Sequence, residues 1–333
     1  MVKNDRQEGK VVHDRDLSLV KEMPHRFSKT DPECRNPELP AMCPPTSRPN
    51  QTLAWQEMIS GIDSLPLKTR SGQTGRVFLI GTGPGDPDYL TVRALRLIQN
   101  AGVVVYDRLV SDEIMALVPP GAQRFDVGKA PKCHKLSQDG INRLLVDLAR
   151  AGHQVARLKG GDPLIFGRGS EEAEVLRLAG IETSYVPGIT AAQGMAASTG
   201  VPLTHRGLAS GVRYVTGHRA RDAELDLDWA SLASKDTTLV VYMGAANIAE
   251  IAGKLMAAGL PGSCPVMAVA SATTPRETRL VSTLSDIGDV VMRAKPAAPV
   301  LFVIGRVVTL YRGDEASLVS HAMDYATGMA ANA

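Results

Sequence analysis

The chain has 333 residues, of which 44% are hydrophobic, so it is long enough for two globular domains. Its 37 Lys and Arg residues nearly balance its 35 Asp and Glu residues, and the overall charge therefore gives no argument for a nucleic acid partner. The four cysteines are scattered, and no stretch approaches the roughly 18 apolar residues that a membrane helix needs. We therefore expect a cytoplasmic protein with no metal site and no membrane partner.

Residues 1–75 differ from the rest of the chain. They mix charged residues with many prolines and show little sustained periodicity, which predicts a mostly disordered N-terminal extension. An organellar presequence is an alternative, but the acidic residues of the segment argue against it.

Residues 76–207 alternate short apolar runs with amphipathic segments, a pattern typical of an α/β domain. Such alternation predicts a mainly parallel sheet covered by helices. Strands are predicted at 76–80, 103–106, 123–127, 154–158 and 183–186, and helices at 89–100, 111–117, 137–151, 170–179 and 190–197.

Residues 208–312 repeat the alternation after a stretch rich in turn-forming residues, so a second α/β domain is predicted there. Small-molecule sites often lie between domains, and we expect a cleft between these two. Residues 313–333 are predicted to be a flexible tail. The second series has strands at 212–216, 237–242, 265–270, 278–283 and 299–304, and helices at 246–258 and 284–293.

A glycine-rich loop follows the first predicted strand, in the stretch from Val77 to Pro87. Its glycines start like a dinucleotide-binding fingerprint, but Asp86 stands where the third glycine is required. Pro84 also removes a backbone donor that a phosphate would need. A nucleoside or another ligand without a pyrophosphate therefore fits better than NAD, and a purely structural turn remains open.

Two more loops of this kind follow later strands. One is Gly160-Gly-Asp-Pro163, continued by Phe166-Gly-Arg-Gly169, and the other is Val186-Pro-Gly-Ile-Thr-Ala-Ala192. Because parallel strands present their carboxyl ends at one edge of a sheet, we expect these loops to frame one pocket with the first loop.

The ordered set of motifs resembles the tetrapyrrole methylase family, from residue 76 to about residue 310. The resemblance implies two α/β domains with a cofactor cleft between them, S-adenosyl-methionine as the cofactor, and a homodimer. It also implies methyl transfer to carbons of uroporphyrinogen III, on ring A and then ring B, through precorrin-1 to precorrin-2, for siroheme or cobalamin synthesis. Besides the three loops, the motifs are Tyr106-Asp-Arg-Leu-Val110, Gly128-Lys129, Pro202-Leu-Thr-His-Arg206, Val215-Thr-Gly-His218, Tyr242-Met-Gly244 and Thr273-Thr-Pro-Arg276.

The resemblance also assigns roles to single residues. Asp107 is the implied proton acceptor and Lys129 the implied proton donor, whereas from the sequence alone Asp107 could cap a helix or pair with Arg108, and Lys129 could be a solvated loop lysine. The implied cofactor-binding residues are Pro84, Gly160, Gly161, Asp162, Ile165, Thr190, Ala191, Met243, Ala270 and Ala272. The carboxylates of the substrate would meet Arg108, Arg168, His205 and Arg206, although Arg168 could instead pair with Glu171 or Glu172.

Two positions depart from the family pattern. Ala130 follows Lys129 where an arginine is expected, and Glu277 stands where a glutamine is expected, which puts a charge near the predicted adenosine side. Another corrin-precursor methylase and a non-catalytic relative that binds the cofactor remain alternatives. An NAD-dependent oxidoreductase is disfavoured by the missing third glycine.

Overall fold

The computed structural model describes residues 74–128, 136–218 and 225–313. These residues all belong to one compact unit of the chain, Glu57–Ala333. The predicted extension up to residue 73, the predicted proton donor Lys129, Ala130 and the tail from residue 314 lie outside the described residues.

The first sheet is parallel throughout, as the sequence predicts. Its strand order is β3-β2-β4-β1-β5. Strand β1 therefore lies between β4 and β5 and is hydrogen-bonded to a neighbouring strand along each of its two edges. The strands are β1 (Arg76–Gly81), β2 (Val103–Tyr106), β3 (Gln123–Asp126), β4 (Val155–Lys159) and β5 (Glu182–Val186).

All but one of the five helices of this half begin where the sequence supplies a capping side chain. Four of them start directly after a Ser or Thr whose hydroxyl oxygen accepts a hydrogen bond from a backbone amide of the first turn. The helix predicted from residue 89 therefore starts only at Val92, behind Thr91. The helices are α1 (Val92–Gln99), α2 (Asp112–Met115), α3 (Gln138–Arg150), α4 (Gly169–Leu178) and α5 (Ala191–Thr199).

The second sheet has the order β6-β7-β10-β8-β9 and is mixed. Only β6 and β7 run parallel, and the other three neighbouring pairs are antiparallel, within the second α/β domain that the sequence predicts. The physical reason is connectivity, because a short turn joins β8 to β9 and a short turn permits only an antiparallel pair. The elements are β6 (Gly211–Thr216), α6 (Trp229–Leu232), β7 (Thr237–Tyr242), α7 (Ile248–Ala257), β8 (Pro265–Ala270), β9 (Thr278–Thr283), α8 (Ile287–Ala294) and β10 (Val300–Ile304).

Helix α5 connects the two halves through a shared apolar core. Ala192 and Met195 of this helix are fully buried and belong to the same cluster as Val240, Met267 and Val303 of the second sheet. The boundary predicted at residues 207 and 208 stays a prediction, since the first sheet ends at residue 186 and the second begins at residue 211.

Within the part of the chain that the structure describes, no helix combines the length and the apolar character needed to cross a bilayer. The cytoplasmic location stays a prediction.

Candidate active site

The three glycine loops meet at one edge of the first sheet. They follow β1, β4 and β5, which are direct neighbours in the sheet. The loops after β1 and β4 are also bonded to each other, because the Gly83 amide donates to Gly161 O over 3.2 Å and the Gly161 amide donates to Gly83 O over 2.6 Å. The sequence prediction that these loops lie together is confirmed.

The glycines of these loops allow the backbones to touch. A Cβ at Gly81 would lie 2.6 Å from the Gly188 amide nitrogen, and a Cβ at Gly188 would overlap the carbonyl oxygen of Gly161. Only glycine avoids such contacts. The loops therefore use these glycines for packing against one another.

The Asp162 carboxylate joins the second loop to the third. Its Oδ1 accepts a hydrogen bond from the Leu164 amide over 2.8 Å, and its Oδ2 accepts one from the Gly188 amide over 3.0 Å. Each carboxylate oxygen has a second acceptor position, so Asp162 can still receive an ammonium group.

Gly161 leaves room for a ligand beside this carboxylate. Its φ of +68° favours glycine, and the position of a Cβ at Gly161 lies 3.8 Å from the Ala191 amide nitrogen at the start of α5. A carboxylate acceptor and a helix N-terminus on two sides of an open space suit the ammonium and carboxylate groups of an amino acid. The residues predicted for the amino-acid end of the cofactor therefore fit that group.

The N-terminus of α5 is fixed from two directions. The Thr190 and Gln193 side chains form a reciprocal capping box, and the Ala192 amide donates to Tyr242 Oη over 3.2 Å. Burial raises the pKa of Tyr242, while its hydrogen bonds with Thr190 and Ala192 act in the opposite direction. A neutral Tyr242 hydroxyl thus connects β7 to the third loop.

The first loop contacts helix α5 and also the second half of the molecule. Pro84 lies so close to Gly194 of α5 that a Cβ on the glycine would be 2.5 Å from the proline ring. The Asp86 amide donates to Thr273 Oγ1 over 3.4 Å. The turn after β8 therefore closes over the first loop, on the side of the cleft predicted for the adenosine.

Backbone strain is concentrated in the loops that follow three of the strands. Six described non-glycine residues have a positive φ, and five of them lie in loops that follow β4, β7 and β8. Such conformations are costly and are frequent at ligand sites. The five residues are Phe166, Arg168, Met243, Ser271 and Thr273.

Glu277 holds the strained turn after β8. Its Oε2 accepts a hydrogen bond from the Thr273 amide over 2.6 Å, and its Oε1 pairs with Arg279 Nε at the same distance. The carboxylate that departs from the family pattern is thus compensated by Arg279 and has a structural role.

Asp107 follows β2 at the same edge of the sheet, and its side chain is 26% exposed. Its Oδ1 accepts a hydrogen bond from the Leu109 amide over 3.0 Å, and its Oδ2 lies 3.5 Å from Nη2 of Arg157. The alternatives of a helix cap and of a pair with Arg108 are wrong, because Ser111 caps α2 and Arg157 is the ionic partner.

A buried charged cluster of Arg157, Lys159 and Glu172 lies beneath Asp107 and was not predicted from the sequence. Glu172 Oε1 is 3.1 Å from Arg157 Nη2 and 2.8 Å from Lys159 Nζ. Burial favours the neutral form of Glu172, but Arg157 and Lys159 prevail and lower its pKa. Burial also lowers the pKa of Lys159, and Arg157 lowers it further against the attraction of Glu172. A signal was present, since two cations in a central parallel strand contradict its otherwise apolar character.

For several of the predicted site residues, the structure shows no position that by itself indicates contact with a ligand. Arg168 forms two hydrogen bonds with Glu171, at 2.9 and 2.6 Å, so Glu171 and not Glu172 is its partner. Ala270 is 2% exposed and its side chain belongs to the core below the second sheet, whereas Ala272 is half-buried. His205 and Arg206 are exposed in a tight turn, and their contact with substrate stays a prediction.

Five large apolar side chains near the cleft are exposed, between 38 and 54% of their surface. They follow β2, β4 and β7, and the Phe166 ring lies 4.9 Å from that of Tyr242. Such a group on a site edge suits a flat apolar ligand. We call it the apolar rim; it consists of Leu109, Leu164, Ile165, Phe166 and Met243.

The structure is that of an α/β protein with two sheets, whose glycine loops and partly exposed carboxylate at one sheet edge suit a small amphipathic ligand. Residues 76–288 match the family of Tetrapyrrole (Corrin/Porphyrin) Methylases. The chain therefore belongs to the tetrapyrrole methylase family, and the resemblance found in its sequence is confirmed.

Known proteins of this family cover most of the described chain. A uroporphyrinogen-III C-methyltransferase of Paracoccus denitrificans is 61% identical over 236 residues, which are 71% of this chain and 82% of that protein. A siroheme synthase of Azotobacter vinelandii is 51% identical over 71% of this chain, which spans about half (51%) of that relative. The crystal structure of a uroporphyrin-III C-methyltransferase from Thermus thermophilus, complexed with S-adenyl homocysteine, is 40% identical, has a TM-score of 0.62 and covers 71% of this chain and 100% of that one.

Proposed function

We propose that this protein transfers methyl groups from S-adenosyl-methionine to carbons of uroporphyrinogen III. The observation that carries the proposal is the 61% identity with a uroporphyrinogen-III C-methyltransferase, of which the chain covers 82%. Two further findings support the assignment of this protein as an S-adenosyl-methionine-dependent methyltransferase of tetrapyrrole biosynthesis. They are its family membership and the complex of a 40% identical relative with S-adenyl homocysteine.

The finer assignment is also a proposal. Methylation on ring A and then ring B would convert uroporphyrinogen III through precorrin-1 to precorrin-2, which feeds siroheme or cobalamin synthesis. The siroheme synthases among the relatives favour the siroheme branch. The homodimer implied by the family stays a prediction.

The residues around Gly161 would hold the cofactor, which supplies an electrophilic methyl group on a sulfonium. Asp162 would receive the ammonium of its amino-acid end, and the Ala191 amide at the N-terminus of α5 would face its carboxylate. Met243, 51% exposed after β7, and the turn at Thr273 would flank the adenosine. Fixing the cofactor at both ends would direct its methyl group toward the substrate.

The substrate needs positioning and proton transfer from this chain. Its electron-rich pyrrole carbons can attack a methyl group without a nucleophile from the protein, but the methylated ring must then lose a proton. The Asp107 carboxylate is partly exposed at the cleft edge and would accept that proton. Lys129 remains the predicted proton donor.

The apolar rim would contact the ring of the macrocycle, and the nearby cations would contact its carboxylates. The exposed faces of Leu109 and Phe166 would contact the ring, while Arg108 is exposed beside Asp107 for one of the carboxylates. Arg168 would reach a second carboxylate only by giving up its pair with Glu171.

The assay is an anaerobic incubation of the purified protein with uroporphyrinogen III and S-adenosyl-methionine, followed by mass spectrometry. We expect a product that has gained two methyl groups, with a singly methylated intermediate at early times. If S-adenosyl-homocysteine binds but no methylated product forms, the proposed substrate is wrong.

An Asp107→Asn variant tests the proposed proton acceptor. Because this change keeps shape and removes the base, we expect kcat to fall by about 10²-fold or more while the Kd for S-adenosyl-homocysteine stays within about twofold. Asp289→Asn, which changes an exposed carboxylate on α8, is the matched control and should keep full activity. Loss of cofactor binding in Asp107→Asn would contradict the separation of catalytic and cofactor residues.

A further inference from the structure

We propose that Arg157 is a positioning residue for the Asp107 carboxylate, and that Glu172 and Lys159 hold Arg157 in place. The inference rests on the proposed function, in which Asp107 takes a proton from the substrate.

The charged cluster occupies a place where apolar side chains are expected. Strand β4 lies in the middle of the sheet. In the strand register, Arg157 lies opposite Leu79 of β1 on one side and opposite Val105 of β2 on the other. Arg157 and Lys159 lie two residues apart, so they are on the same face of the strand. Glu172 of α4 contacts both of them from above that face.

The Arg157 guanidinium is held by several partners at once. Its Nε donates to both carboxylate oxygens of Glu172 at 3.3 Å, and its Nη1 donates to Leu158 O at 3.0 Å. Nη2 donates to Glu172 Oε1 at 3.1 Å and also lies 3.5 Å from Asp107 Oδ2. The orientation of the guanidinium is thus fixed before it meets Asp107.

The charges of the cluster are incomplete without Asp107. Arg157 and Lys159 carry two positive charges, and Glu172 carries one negative charge between them. All three side chains are at most 4% exposed, so solvent does little to compensate the remaining positive charge. The Asp107 carboxylate, 3.5 Å from Arg157, supplies the missing negative charge.

Two contacts then define the position of the Asp107 carboxylate. The Leu109 amide holds Oδ1 from the loop side, and Arg157 attracts Oδ2 from within the sheet. At 3.5 Å the second contact is an ion pair rather than a strong hydrogen bond, so Oδ2 keeps acceptor capacity for a substrate proton. A base held in this way meets the geometric requirement for proton transfer.

Stability alone is a weak explanation for the cluster. Buried ion pairs are often replaced by apolar residues without loss of stability, because desolvation offsets their attraction. Positioning of the Asp107 carboxylate by the fixed Arg157 guanidinium gives the cluster a function instead. Lysine could not replace Arg157 here, since it lacks the planar fork that reaches Glu172, Leu158 O and Asp107 together.

The test is a double-mutant cycle between Arg157→Lys and Asp107→Asn. In the otherwise unchanged protein, we expect Arg157→Lys to lower kcat by about tenfold or more, with the Kd for S-adenosyl-homocysteine within about twofold. In the Asp107→Asn background the same change should lower the residual kcat by less than about twofold, because there is no longer a base to position. Equal losses in both backgrounds, or a parallel loss of cofactor binding, would overturn the proposal.

A second measurement, of stability, keeps the test decisive. Urea unfolding of the same four proteins should show that Arg157→Lys shifts the midpoint less in the Asp107→Asn background than in the unchanged protein. That coupling reports on the contact even if uroporphyrinogen III is not the substrate, so failure of the proposed function and failure of this inference are distinguishable. Absence of coupling overturns the inference.

Control and replacement variants complete the design. Arg177→Lys changes an exposed arginine that pairs with Glu174 on the same helix, and it should show no coupling to Asp107. If Arg157→Lys does not fold, Glu172→Asp takes its place, because it keeps all three charges while withdrawing the carboxylate from Arg157. It should lower kcat only when Asp107 is intact; an equal loss in the Asp107→Asn background would overturn the proposal.

Discussion

At the scale of single residues, charge compensation decides which of the ionisable groups have a structural role. Glu277 accepts a hydrogen bond from the Thr273 amide and is paired with Arg279, while Glu172 lies between Arg157 and Lys159. Both carboxylates stabilise backbone or side-chain positions at the cleft.

Substitution of Glu277 separates its hydrogen bond from its charge. A glutamine keeps an acceptor for the Thr273 amide, so Glu277→Gln should change the Kd for S-adenosyl-homocysteine by less than about threefold. Glu277→Ala leaves the left-handed Thr273 without this contact, and we expect it to weaken cofactor binding by about tenfold, which corresponds to roughly 1.4 kcal/mol. Isothermal titration calorimetry distinguishes the two, and equal affinities of both variants would contradict this role.

Protonation of Glu172 in acid is expected to lower the free energy of unfolding. Its pKa in the folded protein is lowered by Arg157 and Lys159 despite burial, whereas in the unfolded chain it is about 4.3. The group therefore stabilises the fold above the unfolded value, and this contribution disappears as the pH falls through the folded value. Urea unfolding between neutral pH and about pH 3 should show a shallower decline for Glu172→Gln than for the unchanged protein. The exposed Glu174→Gln variant is the control and should keep the original pH dependence, since solvent screens that pair.

At the scale of elements, the glycine loops at the ends of β1, β4 and β5 form the most tightly packed feature of the site. Gly81, Gly161 and Gly188 bring three backbones into contact, and Asp162 bonds the second loop to the third. A side chain at Gly188 therefore has no position that avoids the neighbouring loop.

Gly188→Ala should destabilise the protein by about 2–4 kcal/mol and abolish binding of S-adenosyl-homocysteine, because the loops must separate to admit a methyl group. Gly253→Ala is the matched control, since no atom lies within 4 Å of a Cβ at this position of α7. It should stabilise the protein by about 0.5–1 kcal/mol and leave binding unchanged. Urea unfolding and calorimetry measure both variants, and normal binding by Gly188→Ala would show that the loops are less closely coupled than the structure indicates.

At the scale of the whole molecule, α5 joins both sheets into one folding unit. Its residues Ala192 and Met195 pack with the core of the second sheet, and its N-terminus is bonded to Tyr242 of β7. Ser198 O of the same helix also accepts a hydrogen bond from Arg279 over 2.9 Å. The two halves are therefore expected to lose their structure together.

Unfolding in urea tests this coupling. The chain has two tryptophans, so in a Trp55→Phe background fluorescence reports on Trp229 of α6 in the second half, while far-UV circular dichroism reports on both halves. The two unfolding curves should coincide, and Met195→Ala should shift both by the same amount, by about 2–5 kcal/mol. Separate midpoints would show that the halves unfold independently.

Local sequence patterns were enough to predict every strand, most of the helices and the positions of the three loops, but not the short helix α6. Apolar runs such as Val103–Tyr106 and capping residues such as Thr190 act locally, so the strands and helix starts could be predicted from neighbouring residues. The ordered motifs also identified the family, and they placed Asp107 and Asp162 at strand ends.

The mixed order of the second sheet and the ionic partners at the site depend on tertiary contacts and could not be predicted from the sequence. The pairing of Arg157 with Asp107 and Glu172 joins β4 to the loop after β2 and to α4, and sequence spacing gives no measure of such distances. For the same reason Glu171 and Glu172, adjacent in the chain, have opposite environments: one is exposed and pairs with Arg168, and the other is buried between two cations. Long-range packing sets which side of a helix faces the sheet, and that choice decided which carboxylate lies beneath the site.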